Sequence, residues 1–112
     1  MGEPTVDSST EIRARVERAR AVQRERFRGR RGVYANAHMS VRDLRRYCRL
    51  SEPVESVLRQ AVGRLGLSAR AYHRVLKIAR TIADLAGAQE LSPVHVGEAI
   101  QYRSLDRKRE FA

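Results

Sequence analysis

Residues 68–87 read SARAYHRVLKIARTIADLAG, and this stretch decides the fold. Tyr72, Val75, Leu76, Ala79, Ile82, Ala83 and Ala86 recur at three- and four-residue intervals, the spacing that puts apolar side chains on one side of an α-helix. Ser68 is a good N-cap, its hydroxyl able to take up a free first-turn N–H. Leu67 can pack back onto Tyr72 as a hydrophobic staple, and Gly87 stands where a left-handed residue would end the helix. A helix with so regular an apolar stripe needs neighbours to cover it.

The flanking sequence supplies them. From Ser51 to about Leu65, Val54, Val57, Leu58, Ala61, Val62 and Leu65 form a second stripe, with Pro53 in the tolerant first turn and Gly66 as the stop. Ser92-Pro93 reads as cap and first residue of another helix, with Leu91, Val96, Ala99 and Ile100 on its apolar side. A short helix from Val41 to Tyr47 opens on Ser40, with Asp43 placed to complete a capping pair. Before it, RFRGRRGVYANAHM (26–39) reads as a basic loop. The first helix, from about Ser9 to Phe27, has only a thin apolar line, Ile12, Val16, Ala19 and Val22, and packs lightly. No run alternates as a strand would. The expected fold is an all-α bundle of four to five helices, with the core in the Ser51, Ser68 and Ser92 helices and an arginine-rich helix on its flank. Residues 1–8 read as a leader, 9–103 as the domain and 104–112 as a charged tail.

The 112 residues carry 23 Lys and Arg against 13 Asp and Glu, a net +10, and Lys77 and Lys108 are the only lysines. The excess is local: between Arg13 and Arg49 stand 13 arginines and three acids, and the rest of the chain is balanced. Aromatic residues are 5% with no Trp, too few for a base-stacking platform. No long apolar run suggests a membrane span, and MGEPTVDSST lacks the basic start and apolar centre of a signal peptide. A single cysteine, Cys48, excludes an intrachain disulfide and reads as a small core residue in a cytoplasmic, reducing setting. There is no GxxxxGK[ST] loop, no acid pair for Mg²⁺, and His38, His73 and His95 are too scattered for a zinc site. By itself the chain is expected to bind no cofactor or metal and to turn nothing over.

Arginine is the chemistry that remains. Arg70, Arg74 and Lys77 fall within roughly 60° of one helix face, at 100° per residue. Arg70 is the second residue of its helix, where free N–H groups and the helix dipole reinforce its charge; a phosphate would be well placed there, although the same face also reads as a solvated one. Arg80 is accounted for by Asp84 one turn on. On the first helix Arg13, Arg20, Arg24 and Arg28 form a stripe that continues into Arg30 and Arg31, suited to a phosphate backbone or simply to solvent.

Four stretches together, DSSTEIRARVERARAVQRERF, NAHMS, LGLSARAYHRVLKIARTIADLAG and HVGEAIQYR, resemble the C-terminal domain of magnesium-chelatase-like AAA+ ATPases of the ComM type. The resemblance runs from about Asp7 to Arg103. It implies a helical lid that follows an AAA+ core of the same polypeptide, where the phosphate loop, ATP and Mg²⁺ belong. It further implies hexameric rings and a role in DNA branch migration during natural transformation. The arginine at the start of the lid helix in such proteins is sensor 2, which reaches the γ-phosphate; its positional match is Arg70, with Arg74 a second candidate. The alternative is a stand-alone basic helical module that binds nucleic acid through the Arg13–Arg49 region, and a third reading makes the first helix a protein-docking element.

Overall fold

The computed structural model of the protein describes residues 9–110, with side chains as far as Tyr102. The chain forms five α-helices: α1 (Ser9–Arg26), α2 (Val41–Tyr47), α3 (Glu52–Leu65), α4 (Ala69–Leu85) and α5 (Pro93–Glu110). A 3-10 turn at Asn36–His38 lies within the loop between α1 and α2. No strand occurs among the described residues, so the fold is a small all-α bundle. The leader read at residues 1–8 lies outside the described residues, and α5 runs as one helix through Arg103 and on to Glu110.

Local chemistry sets the helix ends. Ser68 Oγ accepts the Ala71 N–H at 3.1 Å, opening α4 as its sequence requires. At the start of α2, Ser40 and Asp43 cap each other: Asp43 N–H donates to Ser40 Oγ at 3.2 Å and Ser40 N–H to Asp43 Oδ2 at 3.0 Å. Gly66 ends α3 at φ +62°, ψ +44°, a left-handed conformation that a side chain would strain. Past the end of α4, Ala88 N–H reaches back to Ala83 O and Gly87 N–H to Asp84 O, closing the helix in a Schellman turn around Gly87.

α4 is the hub of the bundle. It packs most extensively on α5 and also meets α1, α2 and the 36–38 turn, and α3 is carried against α5. Val75, Ala79 and Ala83 of α4 are wholly buried, with Val54 and Leu58 of α3 and Val96 and Ala99 of α5 in the same cluster. Burying a Val or Leu side chain is worth about 1.5–3 kcal/mol, so this stripe is the main source of stability. Phe27, Met39, Leu44 and Cys48 extend the core under the loop and α2. One reading of the apolar pattern needs correction, and the light packing expected of α1 is seen. Val62 is 37% exposed rather than buried, lining an open groove with Leu50, Leu58 and Tyr72. On α1, Ile12 and Val22 are 49% and 45% exposed and Ala19 is the one buried residue, so this helix touches the bundle along a short contact.

Candidate functional site: a basic groove on α4 and a buried carboxylate hub

The N-terminal half of α4 presents its cations together, as the spacing predicts. Arg70 and Arg74 are exposed and Lys77 is half-buried, and all three line a groove of about 1050 Å³ that runs along the helix. His73 and Thr81 add polar atoms, Ile78, Ile82 and Leu85 give an apolar floor, and Ala37 and Tyr102 form part of the walls. Lys77 Nζ donates to Ala37 O at 3.2 Å, so it also pins the 36–38 turn. Arg70 stands one residue inside the capped start of the helix. The groove thus has a cationic end, where the helix dipole adds positive potential, and an apolar end.

The arginines ahead of α4 divide into surface and seam. Arg13, Arg20, Arg24, Arg28 and Arg31 are exposed. Arg28 lies 3.6 Å from Glu25, with both side chains more than 70% exposed, a pairing worth little in water. Arg30 is different. Its two terminal nitrogens donate to the two oxygens of the buried Asp43 at 3.0 and 3.1 Å, so its charge is taken up within the fold. The Arg30 fork, with the Ser40 N–H, holds the Asp43 carboxyl down at about 2 against an ordinary 3.8.

Beneath this surface lies a polar cluster of which the sequence disclosed only the Arg80–Asp84 pair. Asp84, Arg80 and Asn36 are buried, and Arg26 reaches them from the end of α1 with its side chain 10% exposed. Arg26 forks onto Asp84 at 2.8 and 2.9 Å and donates to Asn36 Oδ1 at 2.9 Å. Asn36 Nδ2 donates to Asp84 Oδ2 at 2.8 Å and to Thr81 Oγ at 3.1 Å, and the Asn36 N–H is taken by Gln23 Oε1. Arg80 uses its whole fork: Nε and Nη2 face Asp84 Oδ1, Nη1 donates to Tyr47 O and Gln89 O, and Nη2 also donates to Ala88 O at 2.8 Å. Two guanidiniums share one carboxylate, and backbone carbonyls compensate the second. The Asn36–His38 turn had read as plain loop; the asparagine in NAHMS was the available signal, and only the fold shows what it meets.

His95 and His38 serve the backbone, and Cys48 serves the core. His95 Nδ1 accepts the Ser92 N–H at 3.0 Å, which caps α5, and His38 Nδ1 accepts from the Tyr34 and Ala35 N–H groups. Burial pushes the Cys48 thiol up to about 11, where it is a poor nucleophile. Among the described residues, no three His, Cys, Asp or Glu side chains gather to hold a metal ion. No described helix is long and apolar enough to cross a membrane.

An all-α domain built on a capped, arginine-led helix, with most of its charge on the preceding helix and loop, matches one described family. Residues 6–103 fit the family "Magnesium chelatase, subunit ChlI C-terminal", and the chain belongs to it. Its relatives include competence protein ComM of Haemophilus influenzae, 40% identical over 101 residues, which cover 90% of this chain and 19% of that protein. The proteins YifB of Salmonella typhimurium and Escherichia coli are 43% identical over 72 residues and 36% over 101. Those matches cover 64% and 90% of this chain and 14% and 19% of the relatives. The chain therefore spans about a fifth or less of the length of the curated relatives it matches.

Proposed function

We propose that this domain is the helical lid of an AAA+ ATPase related to magnesium chelatase, and that Arg70 is its nucleotide-sensing arginine. The observation that carries the reading is Arg70 itself: an exposed guanidinium at the second position of a Ser-capped helix, at the cationic end of the α4 groove. A fixed cation beside a helix N-terminus stabilises negative charge that develops on a transferred phosphoryl group. Arg74, one turn on, is the second candidate for the same task. ATP and Mg²⁺ would be held mainly by a core elsewhere in the polypeptide, so the domain senses nucleotide rather than hydrolysing it. Neighbouring subunits of a cytoplasmic ring would complete the enzyme, as family membership suggests. In the whole protein, Arg70→Ala should lower ATP turnover by about tenfold or more, equivalent to about 1.4 kcal/mol of barrier. Unchanged turnover with the fold intact would remove Arg70 from the nucleotide site.

The exposed arginines of α1 favour a second, compatible role in DNA contact within a strand-remodelling motor, or on their own in a stand-alone module. Arg13, Arg20 and Arg24 recur along one face of α1, and Arg28 and Arg31 follow it at the surface. Neutralising Arg13, Arg20, Arg24 and Arg28 together should flatten the salt dependence of duplex binding by about 3 to 4 in log–log slope. A chain that shows no duplex binding even at low salt would refute this role and leave these arginines to protein contacts.

A further inference from the structure

We infer that a small pocket between the end of α2 and the α4–α5 loop is an anion site built for a phosphate group. Its volume is about 260 Å³, smaller than the roughly 300–1,000 Å³ of pockets that enclose a drug-sized ligand, so it takes one charged group rather than a whole nucleotide. Arg26, Arg46, Arg49 and Arg80 all line it. The acids beside them are Asp84, which Arg26 and Arg80 share, and Glu90, which lines the pocket. Four guanidiniums against two carboxylates leave an excess of two positive charges. A phosphate monoester brings about −1.5 to −2 at neutral pH, which matches that excess. None of these residues lines the α4 groove, and neither the nucleotide role nor the DNA role of α1 is needed for the site.

The four arginines are held in two ways. Arg26 and Arg80 have side chains 10% and 4% exposed and are committed to partners within the fold, Arg26 to Asp84 and Asn36 and Arg80 to Asp84 and three backbone carbonyls. They give the pocket fixed positive charge where water screens it poorly. Arg46 and Arg49 are exposed, and neither has an ion pair or a side-chain hydrogen bond among the described residues. Arg46 is placed all the same, because its guanidinium lies over the Tyr47 ring, 5.2 Å from the centroid. Stacking uses the flat face of the group and leaves its N–H edge for an acceptor. The Tyr47 ring is itself fixed, edge-on to the buried Phe27 with ring centroids 5.8 Å apart. Arg46 comes from the last turn of α2 and Arg49 from the coil after it. Forks that arrive from separate segments suit a tetrahedral phosphate, which offers oxygens in every direction, better than a flat carboxylate that one fork can occupy. With phosphate bound, Arg46 and Arg49 donate to its oxygens, while Arg26 and Arg80 keep their present partners and act through their field alone.

An NMR titration of the whole 112-residue chain with sodium phosphate, at neutral pH and fixed ionic strength, tests this through the backbone amides of Tyr47 and Glu90. Their shifts should saturate. Arg46→Gln combined with Arg49→Gln should weaken phosphate binding about fivefold or more, through the loss of two charge-assisted donors. Both side chains are exposed, so this variant should fold as the native chain does. Glu90→Gln removes a like charge from the pocket wall and should tighten binding about twofold. Arg59→Gln combined with Arg64→Gln removes two exposed arginines of α3 that do not line the pocket, and should change the affinity by less than about 1.5-fold. A short DNA duplex then separates the sources of the phosphate. Duplex binding weakened by the Arg46 and Arg49 changes but not by those on α3 assigns it to a nucleic-acid backbone, and duplex binding that stays equal assigns it to a small phosphate compound. Shifts that never saturate, unchanged phosphate affinity without Arg46 and Arg49, or sodium acetate acting as strongly as phosphate at the same ionic strength would each overturn the inference.

Discussion

Replacing Arg80 by Met should destabilise the domain by about 3–6 kcal/mol, more than any single surface arginine could. The figure follows from the partners left behind. Breaking a buried ion pair from one side costs about 3–5 kcal/mol when the other charge is abandoned, but here Asp84 keeps Arg26 and Asn36, so that part falls to about 1–2 kcal/mol. Three carbonyls also lose their donor. Gln89 is exposed and its carbonyl finds water, whereas Tyr47 and Ala88 are half-buried, and each unsatisfied group there costs about 1–2 kcal/mol. A domain near 100 residues has about 5–15 kcal/mol in total, so the variant approaches the limit of folding at 37 °C. Urea denaturation followed by far-UV circular dichroism measures the loss directly, with Arg80→Lys alongside. Lysine offers three donors from one nitrogen and cannot reach acceptors spread across Asp84, the end of α2 and the α4–α5 loop, so it should recover less than half of the loss. A cost below about 1 kcal/mol for Arg80→Met would refute the reasoning, because it would mean that water replaces every bond the guanidinium makes.

Two further perturbations read other parts of the fold. Asp43 is held at about 2, below its ordinary 3.8, so its contribution is present above pH 4 and is lost as the pH falls through the folded value. At 1.36 kcal/mol per pH unit the difference is about 2.4 kcal/mol, and solvent around the half-exposed Arg30 side chain screens this to about 1–1.5 kcal/mol. Urea midpoints should therefore drop between pH 5 and pH 2 in the native chain and drop less in Asp43→Asn; equal slopes would deny Asp43 this role. Gly66→Ala should cost about 1 kcal/mol, from backbone strain at φ +62° alone, since an added Cβ would meet nothing within 4 Å. A thermal midpoint lowered by only a degree or so would contradict this, since about 4–8 °C is expected per kcal/mol.

The fold was legible because its signals are local. Ser68, Ser40 and Gly66 act within one helical turn of themselves, and the apolar stripes of α3, α4 and α5 repeat at a period that only a helix satisfies. The α4 cations were legible for the same reason, since Arg70, Arg74 and Lys77 share a face by spacing alone. Arg26 and Asn36 were not, because their partner Asp84 lies 58 and 48 residues away. Nothing in RERFRGRR separates the arginine that turns inward from those that stay in water. Val62 misled for a related reason: it fits the period of its helix, but burial also needs a neighbour, and periodicity does not report neighbours.

The two buried carboxylates explain how one segment can be both the basic surface and part of the structure. Asp84 takes Arg26 and Asp43 takes Arg30, each as a two-pronged pair, so the start of the connection between α1 and α2 is tied both to α4 and to α2. Each pairing uses a fork that only arginine has, which gives a reason for arginine over lysine at these two positions. The surface arginines have no such requirement, because a phosphate backbone accepts charge from either residue. Lysine at Arg13, Arg20, Arg24 and Arg28 should therefore leave stability close to that of the native chain and, on the DNA-contact role proposed above, leave the salt slope of duplex binding unchanged. Lysine at Arg26 should instead loosen α1, and at Arg30 it should let the Asp43 carboxyl rise toward its ordinary value. If the four surface replacements destabilised the fold as much as those at Arg26 and Arg30, the division between surface and seam would be wrong.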